Sequence, residues 1–291
     1  MPPSDDPAPS AFTTDAWRTA AAGRWLAHAD RLEATLEPIL RPLLDHAALT
    51  PGERVLDVGC GRGATTRAAA VVVGPQGSVT GVDVSPDMLA AAAAVTVGPG
   101  AAPVEWLAGD AQRVDLPAAA FDALISRFGV MFFDDPVAAF THLGRALRPG
   151  GRMAVVTWRP RDRSAFQSVG HTAMVTALRA HGYDPVVREP DAGPFSLGVD
   201  ARVRYVLTAA GWRDVAVHSL DLPLHYGGPG ATPAEAVTVT LDMTGTRAML
   251  EPFDEAARDV AAAALLEAYT RRHDGSGILL DAAMAVVTAR R

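Results

Sequence analysis

The chain has 291 residues, a net charge of −7 and 49% hydrophobic residues, enough apolar material for one large domain with embellishments. All 26 basic residues are arginine, since the sequence contains no lysine, and it contains no asparagine either. Those absences exclude Schiff-base chemistry, a Walker-type phosphate lysine and N-glycosylation. The single cysteine, Cys60, rules out an internal disulfide and points to a reducing, cytoplasmic setting. An acidic chain with scattered arginines lacks the footprint of a nucleic-acid binder, so the densest group, Arg159, Arg161 and Arg163, reads as solvated charge. The longest uncharged apolar stretch is broken by Gly98, Pro99, Gly100 and Pro103, which argues against a membrane span.

Residues 1–15, rich in Pro, Asp and Ser, read as a disordered tail with no apolar h-region. From Asp15 to His46 apolar residues recur at three- and four-residue steps, which predicts helix, with at least one break implied by Pro38 and Pro42. Trp17 and Trp25 are eight residues apart, so one helix face can carry both. Thr50-Pro-Gly52 then opens the core. The apolar run Val55, Leu56, Val58 predicts a short buried strand, and Gly59, Gly61 and Gly63 follow at every second position. Glycines there let the backbone turn sharply and let a ligand come close. A helix predicted over Thr65 to Val73 presents its positive end to that loop. Cys60, inside the loop, reads as a small packing residue rather than a nucleophile.

A second strand, Ser78 to Asp83, ends in an acid 20 residues beyond Gly63, where a carboxylate can accept both ribose hydroxyl hydrogens. A crossover helix over Met88 to Val97, the segment Ala108-Gly-Asp-Ala111, a strand at Ala123 to Ser126 and a helix over Pro136 to Leu147 follow. Leu147-Arg-Pro-Gly-Gly151 then leads into a strand from Met153 to Trp158. This order resembles the class I S-adenosylmethionine (SAM)-dependent methyltransferases. A NAD-binding Rossmann domain is the competing reading. It prefers Gly-x-Gly-x-x-Gly, whereas position 64 here is Ala, and it leaves Asp57 and Gly109-Asp110 without a role.

The resemblance implies SAM as cofactor and S-adenosylhomocysteine as product. It makes Asp57, Gly59, Cys60, Gly61 and Gly63 the first cofactor motif and Asp83 the ribose acid. Val84 and Met88 would pack on the adenine faces, Gly109 and Asp110 would meet the adenine amino group, and the amide of Ala111 a ring nitrogen. Ser126, Arg127 and Gly129 fall where the family lines the methionine end. DNA amino-methyltransferases carry a proline motif at Ser126, and magnesium-dependent catechol-type relatives an acid there and an asparagine later. Neither pattern is present, so no metal site is expected.

Beyond Trp158 the sequence predicts a helix over Ser164 to Ala180, a Pro/Gly-rich loop over Asp184 to Leu197 and a helix over Asp200 to Ala210. A strand over Trp212 to Leu224, helices over Ala234 to Leu250 and Asp254 to Arg271, and a last strand over Leu279 to Ala289 complete the chain. Strands alternating with helices argue for a doubly wound α/β sheet. The resemblance adds a seven-stranded sheet whose last two strands form an antiparallel end. The expected organisation is a tail at 1–15, a helical lid at 16–50, a SAM-binding core at 51–158, a helical cap at 159–211 and, at 212–291, the rest of the sheet with substrate-covering helices.

Gly193-Pro-Phe-Ser196 and the helix after it are similar to small-molecule methyltransferases of the ubiquinone and menaquinone type. The implied activity is metal-independent methyl transfer from SAM to an O, N or C atom of a small, fairly apolar metabolite. His171 and His225 are the candidate general bases, Arg247 a candidate partner for an anionic acceptor, and Trp17 and Trp25 lid residues whose faces attract a sulfonium. Two other classes share the cofactor motifs: a cyclase that binds SAM without transferring methyl, and a protein or RNA methyltransferase with a broad charged surface in place of an apolar pocket.

Overall fold

The computed structural model describes residues 14–187 and 193–291. The expected tail therefore lies outside the described residues except for Thr14 and Asp15, which begin a helix. Part of the predicted loop, 188–192, lies outside them as well.

Seven strands form one sheet: β1 (Arg54–Val58), β2 (Ser78–Asp83), β3 (Val104–Ala108), β4 (Phe121–Arg127), β5 (Leu147–Trp158), β6 (Arg213–His225) and β7 (Leu279–Arg290). Their order is β3-β2-β1-β4-β5-β7-β6, parallel from β3 to β5, with β7 antiparallel to both neighbours. The chain steps outward from β1 to β3 and then returns to the other side of β1 as β4. The crevice beyond the carboxyl ends of β1 and β4 is thus the topological switch point, where open α/β sheets bind ligands.

The near-continuous apolar runs are explained by helices on both faces of the sheet. Successive residues point to opposite faces, so Val55, Ile125, Val156 and Val286 enter one core while Leu56, Leu124, Val155 and Val287 enter the other. The first core is covered by Ile39 and Leu43 and by α5 (Ala64–Val73). The second is covered by α7 (Pro136–Ala146) and α9 (Asp200–Ala209). Trp212 closes that side, its Nε1 donating to the Phe140 carbonyl at 3.0 Å.

The N-terminal region is not one broken helix but four short ones: α1 (Thr14–Arg18), α2 (Ala20–Ala27), α3 (Ala29–Leu36) and α4 (Leu40–Ala47). Pro38 coincides with a 3-10 turn at Glu37–Ile39. Pro42 causes no break, because it lies in the first turn of α4, where its missing N–H has no partner to lose. Arg152 fixes the end of α4, donating to the Ala47 and Ala48 carbonyls, each at 2.6 Å, and to Glu53.

Helix α6 (Pro86–Ala93) follows β2 and is capped by Ser85, whose hydroxyl accepts from the Met88 amide. After β5 comes α8 (Ala165–Ala180). Between β6 and β7 lie α10 (Pro233–Asp242), α11 (Thr244–Leu250) and α12 (Glu255–Thr270). The single helix predicted over Ala234 to Leu250 is interrupted at Met243, which is extended (φ −62°, ψ 140°). Thr244-Gly-Thr246, β-branched residues around a glycine, propagate a helix poorly. Helices α8, α10 and α12 bury their own apolar cluster, including Met174, Leu178, Ala236, Ala261, Leu265 and Tyr269. At Gly170 a Cβ would lie 2.4 Å from the Tyr269 hydroxyl, so the glycine sets how closely α8 approaches α12.

Candidate active site

One cavity of about 870 Å³ opens at the switch point. Its floor comes from the loops after β1, β2 and β3. Gly59 (φ 66°) and Gly129 face each other across the ends of β1 and β4. A Cβ on Gly59 would lie 2.6 Å from the Gly129 Cα, and one on Gly129 would lie 2.4 Å from the Val58 carbonyl oxygen. Neither site tolerates a side chain. Gly61 (φ 52°) is different: a Cβ there would meet nothing within 4 Å, so the loop leaves free space beside its backbone. Gly63 does not border the cavity, and a Cβ on it would strike the Trp106 ring at 2.2 Å.

Asp83 is the principal acid of the floor. Its Oδ2 accepts from the Gly61 amide at 2.8 Å and its Oδ1 from the Ser85 amide at 2.9 Å. Each carboxylate oxygen has two lone-pair sites, so a further acceptor position remains on each for a diol. Burial pushes its pKa up, while the amides of Ser85, Gly61 and Val84 oppose the shift. Val84 and Met88 form an apolar shelf beside it, and Gly109, Asp110 and Ala111 close the far end. Asp110 is held by Gln112, whose amide donates at 3.0 Å, and by Arg113 at 2.9 Å.

Asp57 lies wholly buried beneath the loop. Its Oδ2 accepts from the Thr66 hydroxyl at 2.6 Å, and its Oδ1 has no partner among the described residues. Burial raises its pKa to about 7. The Cys60 thiol is pushed well above its usual range by burial, which agrees with a packing role.

Ser126 is corrected from a lining residue to a brace. Its hydroxyl donates to the Val58 carbonyl at 2.6 Å and accepts from the Gly129 amide at 3.1 Å, so it is spent inside the turn. Arg127 does border the cavity, with its guanidinium given to the Leu36 carbonyl and to Glu33 at 2.6 Å. It thereby ties α3 to the end of β4.

The roof is aromatic. Phe128 stacks on Trp158 (4.3 Å, 8°), Trp158 on Phe166 (5.5 Å, 12°), and Phe166 leads through Tyr226 to Tyr269. Phe128 takes a left-handed backbone (φ 66°), a cost that places its ring in the stack. The Thr240 hydroxyl sits between the two tyrosines, 3.0 Å from the Tyr226 oxygen and 2.9 Å from that of Tyr269. Trp17 and Trp25 lie on separate helices, yet their rings meet edge to face at 5.9 Å and both border the cavity. Trp17 also packs on Phe132 at 5.4 Å. The segment carrying them is fastened across the opening by Arg24 to Thr244 (3.2 Å), His28 to Asp242 (2.8 Å) and Arg31 to Glu235.

Of the two candidate bases, only His171 reaches the cavity. Its Nε2 lies 2.6 Å from Arg161 Nη1. Burial, then the charges of Arg161 and Arg179, lower its pKa to about 4. An imidazole whose Nε2 accepts a hydrogen bond from a guanidinium is neutral and already engaged, so the general-base role expected for it does not suit this geometry. His225 is turned away. Leu224 enters the core, Tyr226 borders the cavity, and His225 between them packs against Gly277 with its carbonyl accepting from Thr35 at 2.9 Å. Arg247 does not border the cavity either and pairs with Asp242 at 3.4 Å on an exposed face.

Sequence reasoning missed Arg161, which borders the cavity instead of lying in solvent, and the roof residues Phe128, Trp158, Phe166, Tyr226, Thr240 and Tyr269. A signal for Arg161 existed: it stands three residues past the carboxyl end of β5, the side on which such sheets bind ligands. Among the described residues, no three His, Cys, Asp or Glu side chains gather as a metal site, and no helix is long and apolar enough to cross a membrane.

A glycine floor at the switch point, a buried acid at the end of β2 and an antiparallel β7 define the class. The chain belongs to the class I SAM-dependent small-molecule methyltransferases, and its methyl donor is SAM. The family model described as a methyltransferase domain matches residues 55–151. Nocamycin O-methyltransferase of Saccharothrix syringae is 32% identical over 260 residues, covering 87% of this chain and 90% of that protein. Aklanonic acid methyltransferase DauC of Streptomyces sp. (strain C5) is 38% identical over 117 residues, or 40% of this chain and 53% of that one. Phosphoethanolamine N-methyltransferase 2 of Haemonchus contortus, solved with SAM, overlays with a TM-score of 0.52 on 98% of this chain and 60% of its own, at 18% identity. That last likeness is one of fold.

Proposed function

We propose that this enzyme methylates an oxygen atom of a small, ring-containing, largely apolar metabolite seated under the aromatic roof. The observation that carries the reading is the joining of two unlike surfaces in one cavity. The polar floor at Asp83 and Asp110 continues into the stack from Phe128 to Tyr269. A volume of about 870 Å³ is at the upper end for a single drug-sized ligand, so it has room for donor and acceptor together. Oxygen as the acceptor atom is supported by a relative that matches 87% of the chain, an O-methyltransferase by name.

In this reading Asp83 accepts the two ribose hydroxyls, Val84 and Met88 flank the adenine, and Asp110 with the Ala111 amide meets its edge. Gly59 and Gly61 let the backbone approach the rest of the cofactor. Bound SAM supplies a methyl group on a sulfonium, which already carries an excellent leaving group. What the chain adds is alignment and exclusion of water. The rings of Trp158 and Phe166 set the plane of the acceptor. Trp17 and Trp25 close the opening, where their faces attract a cation.

Incubation with methyl-labelled SAM and a metabolite extract tests this directly. Label should pass into organic-extractable products that are heavier by ~14 Da, the mass of an added CH₂, plus the excess mass of the label. Metabolite conversion without that gain would mean a cyclase-type use of the fold, and label appearing only in protein or RNA would move the acceptor out of the small-molecule class.

A further inference from the structure

Arg161 is the charged group of the roof that the reading above leaves without a task. It borders the cavity, with its guanidinium carbon 5.1 Å from the centre of the Phe195 ring. Of the other arginines that border the cavity, Arg127 is neutralised by Glu33 and Arg62 by Asp30, while Arg24 is committed to the Thr244 hydroxyl at the opening. Among the described residues no carboxylate pairs with Arg161, and its one polar contact is His171 Nε2. A guanidinium has no lone pair to give, so it must be the donor there, and His171 must carry its proton on Nδ1. The histidine therefore braces the arginine. It has no free Nε2 with which to take a proton from an acceptor.

The remaining carboxylates that border the cavity are no better placed as bases. Glu33 is bound to Arg127, Asp83 and Asp110 are held in the floor, and Glu251 is exposed. A neutral alcohol or phenol as acceptor would need a base that this roof does not offer. An acidic oxygen needs none.

Resting on the methyl-transfer reading, we propose that Arg161, positioned by His171, receives a carboxylate of the acceptor, so that the substrate is an apolar carboxylic acid and the product its methyl ester. Planar guanidinium and planar carboxylate match in geometry, and the pairing is stronger for being partly shielded from water. An N–H edge holding one carboxylate oxygen leaves the other free to react. That oxygen forms the new O–CH₃ bond as the methyl–sulfur bond breaks, and the pair from that bond stays on sulfur. No proton is released. The carboxylate also offsets the charges of the guanidinium and the sulfonium, which would otherwise share an apolar space uncompensated.

The test is calorimetric binding of 2-naphthoate and of its neutral counterpart 2-naphthamide to the protein saturated with S-adenosylhomocysteine. The wild type should prefer the naphthoate by at least roughly tenfold, the scale of one charge-assisted hydrogen bond. Arg161→Gln should abolish the preference with S-adenosylhomocysteine affinity unchanged, and Arg161→Lys should restore part of it. His171→Gln should weaken the naphthoate more than the amide. Equal binding of the two probes by the wild type, a preference that survives Arg161→Gln, or no naphthoate binding would overturn the proposal. Failure of the wild type to bind S-adenosylhomocysteine would count against the methyl-transfer reading instead. A chemical readout is independent of the probes: label transferred to a metabolite should be released as methanol by mild alkali. Alkali-stable label, as in a methyl ether, would contradict the ester.

Discussion

The floor and the roof of the cavity are built in opposite ways. The floor is one stretch of chain, from Val58 to Ala111, joined by the Gly129 turn, and it works through backbone amides, glycines and two carboxylates. The roof draws on α1 and α2, the turn after β4, the end of β5, α8, Tyr226 and the helices between β6 and β7, and it works through side chains. A backbone cradle is fixed by local chain geometry and admits little variation. A roof of aromatic side chains from separate elements can be reshaped one residue at a time. On the proposed reading, the difference makes donor recognition and acceptor recognition separable in this molecule.

The largest expected break comes from the floor. Gly129→Ala pushes a methyl group against the Val58 carbonyl and the Gly59 Cα, both backbone atoms that cannot swing aside. We expect a stability loss of about 1–3 kcal/mol, the usual cost of overpacking, read from urea unfolding midpoints. An unchanged midpoint would show that the β1 and β4 ends are looser than the structure has them.

Removing residues 1–28 attacks mainly the roof, and at the floor it also removes the Thr14 hydroxyl bonded by Gln112. It takes away Trp17, Trp25, the Arg24 bond to Thr244 and the His28 bond to Asp242. Turnover is expected to fall by roughly 100-fold, the scale of a lost alignment, while far-ultraviolet circular dichroism still reports the sheet. Full turnover in the truncated protein would return both tryptophans to plain packing.

A smaller effect should appear in the pH dependence of stability. The His171 pKa is lowered from 6.5 to about 4, so the unfolded chain takes up a proton at a pH where the folded chain does not. Its contribution is complete above 6.5 and is lost as pH falls towards 4. Asp57 acts in the opposite sense: its pKa is raised to about 7, so its contribution is complete below about 4 and lost as pH rises towards 7. The two slopes oppose each other in the wild type. The informative quantity is the gap in urea midpoint between wild type and His171→Gln, which should narrow from pH 7.5 to pH 4.5. A constant gap would mean that His171 is not held neutral. Smallest of all is the effect of a chelator, which should leave turnover unaltered; loss of activity restored by Mg²⁺ would reopen the metal question.

The same division decides what the sequence revealed. Six of the seven strands and the glycine turn were legible because burial on both faces writes an apolar run, and a backbone cradle writes glycines at fixed spacing; β3, an edge strand with no fully buried residue, went unread. Asp83 was singled out by its distance to that turn, and Asp110 only by the family resemblance. The roof was not, since it depends on which residues of distant helices face one another. His225 illustrates the limit: it stands one residue before Tyr226, and strand alternation alone sends the one away and the other to the cavity. Ser126 lies at the right place in the chain, but its hydroxyl is consumed by a turn whose hydrogen bonds have no sequence signature. Arg161 was hidden by company, because Arg159 and Arg163 made it read as one of a solvated group.

The most direct test of separable floor and roof is S-adenosylhomocysteine affinity, measured by calorimetry in Asp83→Ala and Arg161→Gln proteins side by side. Loss of a charged acceptor of hydrogen bonds should cost the Asp83 variant about 1.5–3 kcal/mol, or roughly 10- to 150-fold. Arg161→Gln should change the affinity by less than about twofold, within the range of a surface substitution. An Asp83→Ala protein that is folded and binds normally, or an Arg161→Gln protein that loses S-adenosylhomocysteine as strongly, would contradict the account.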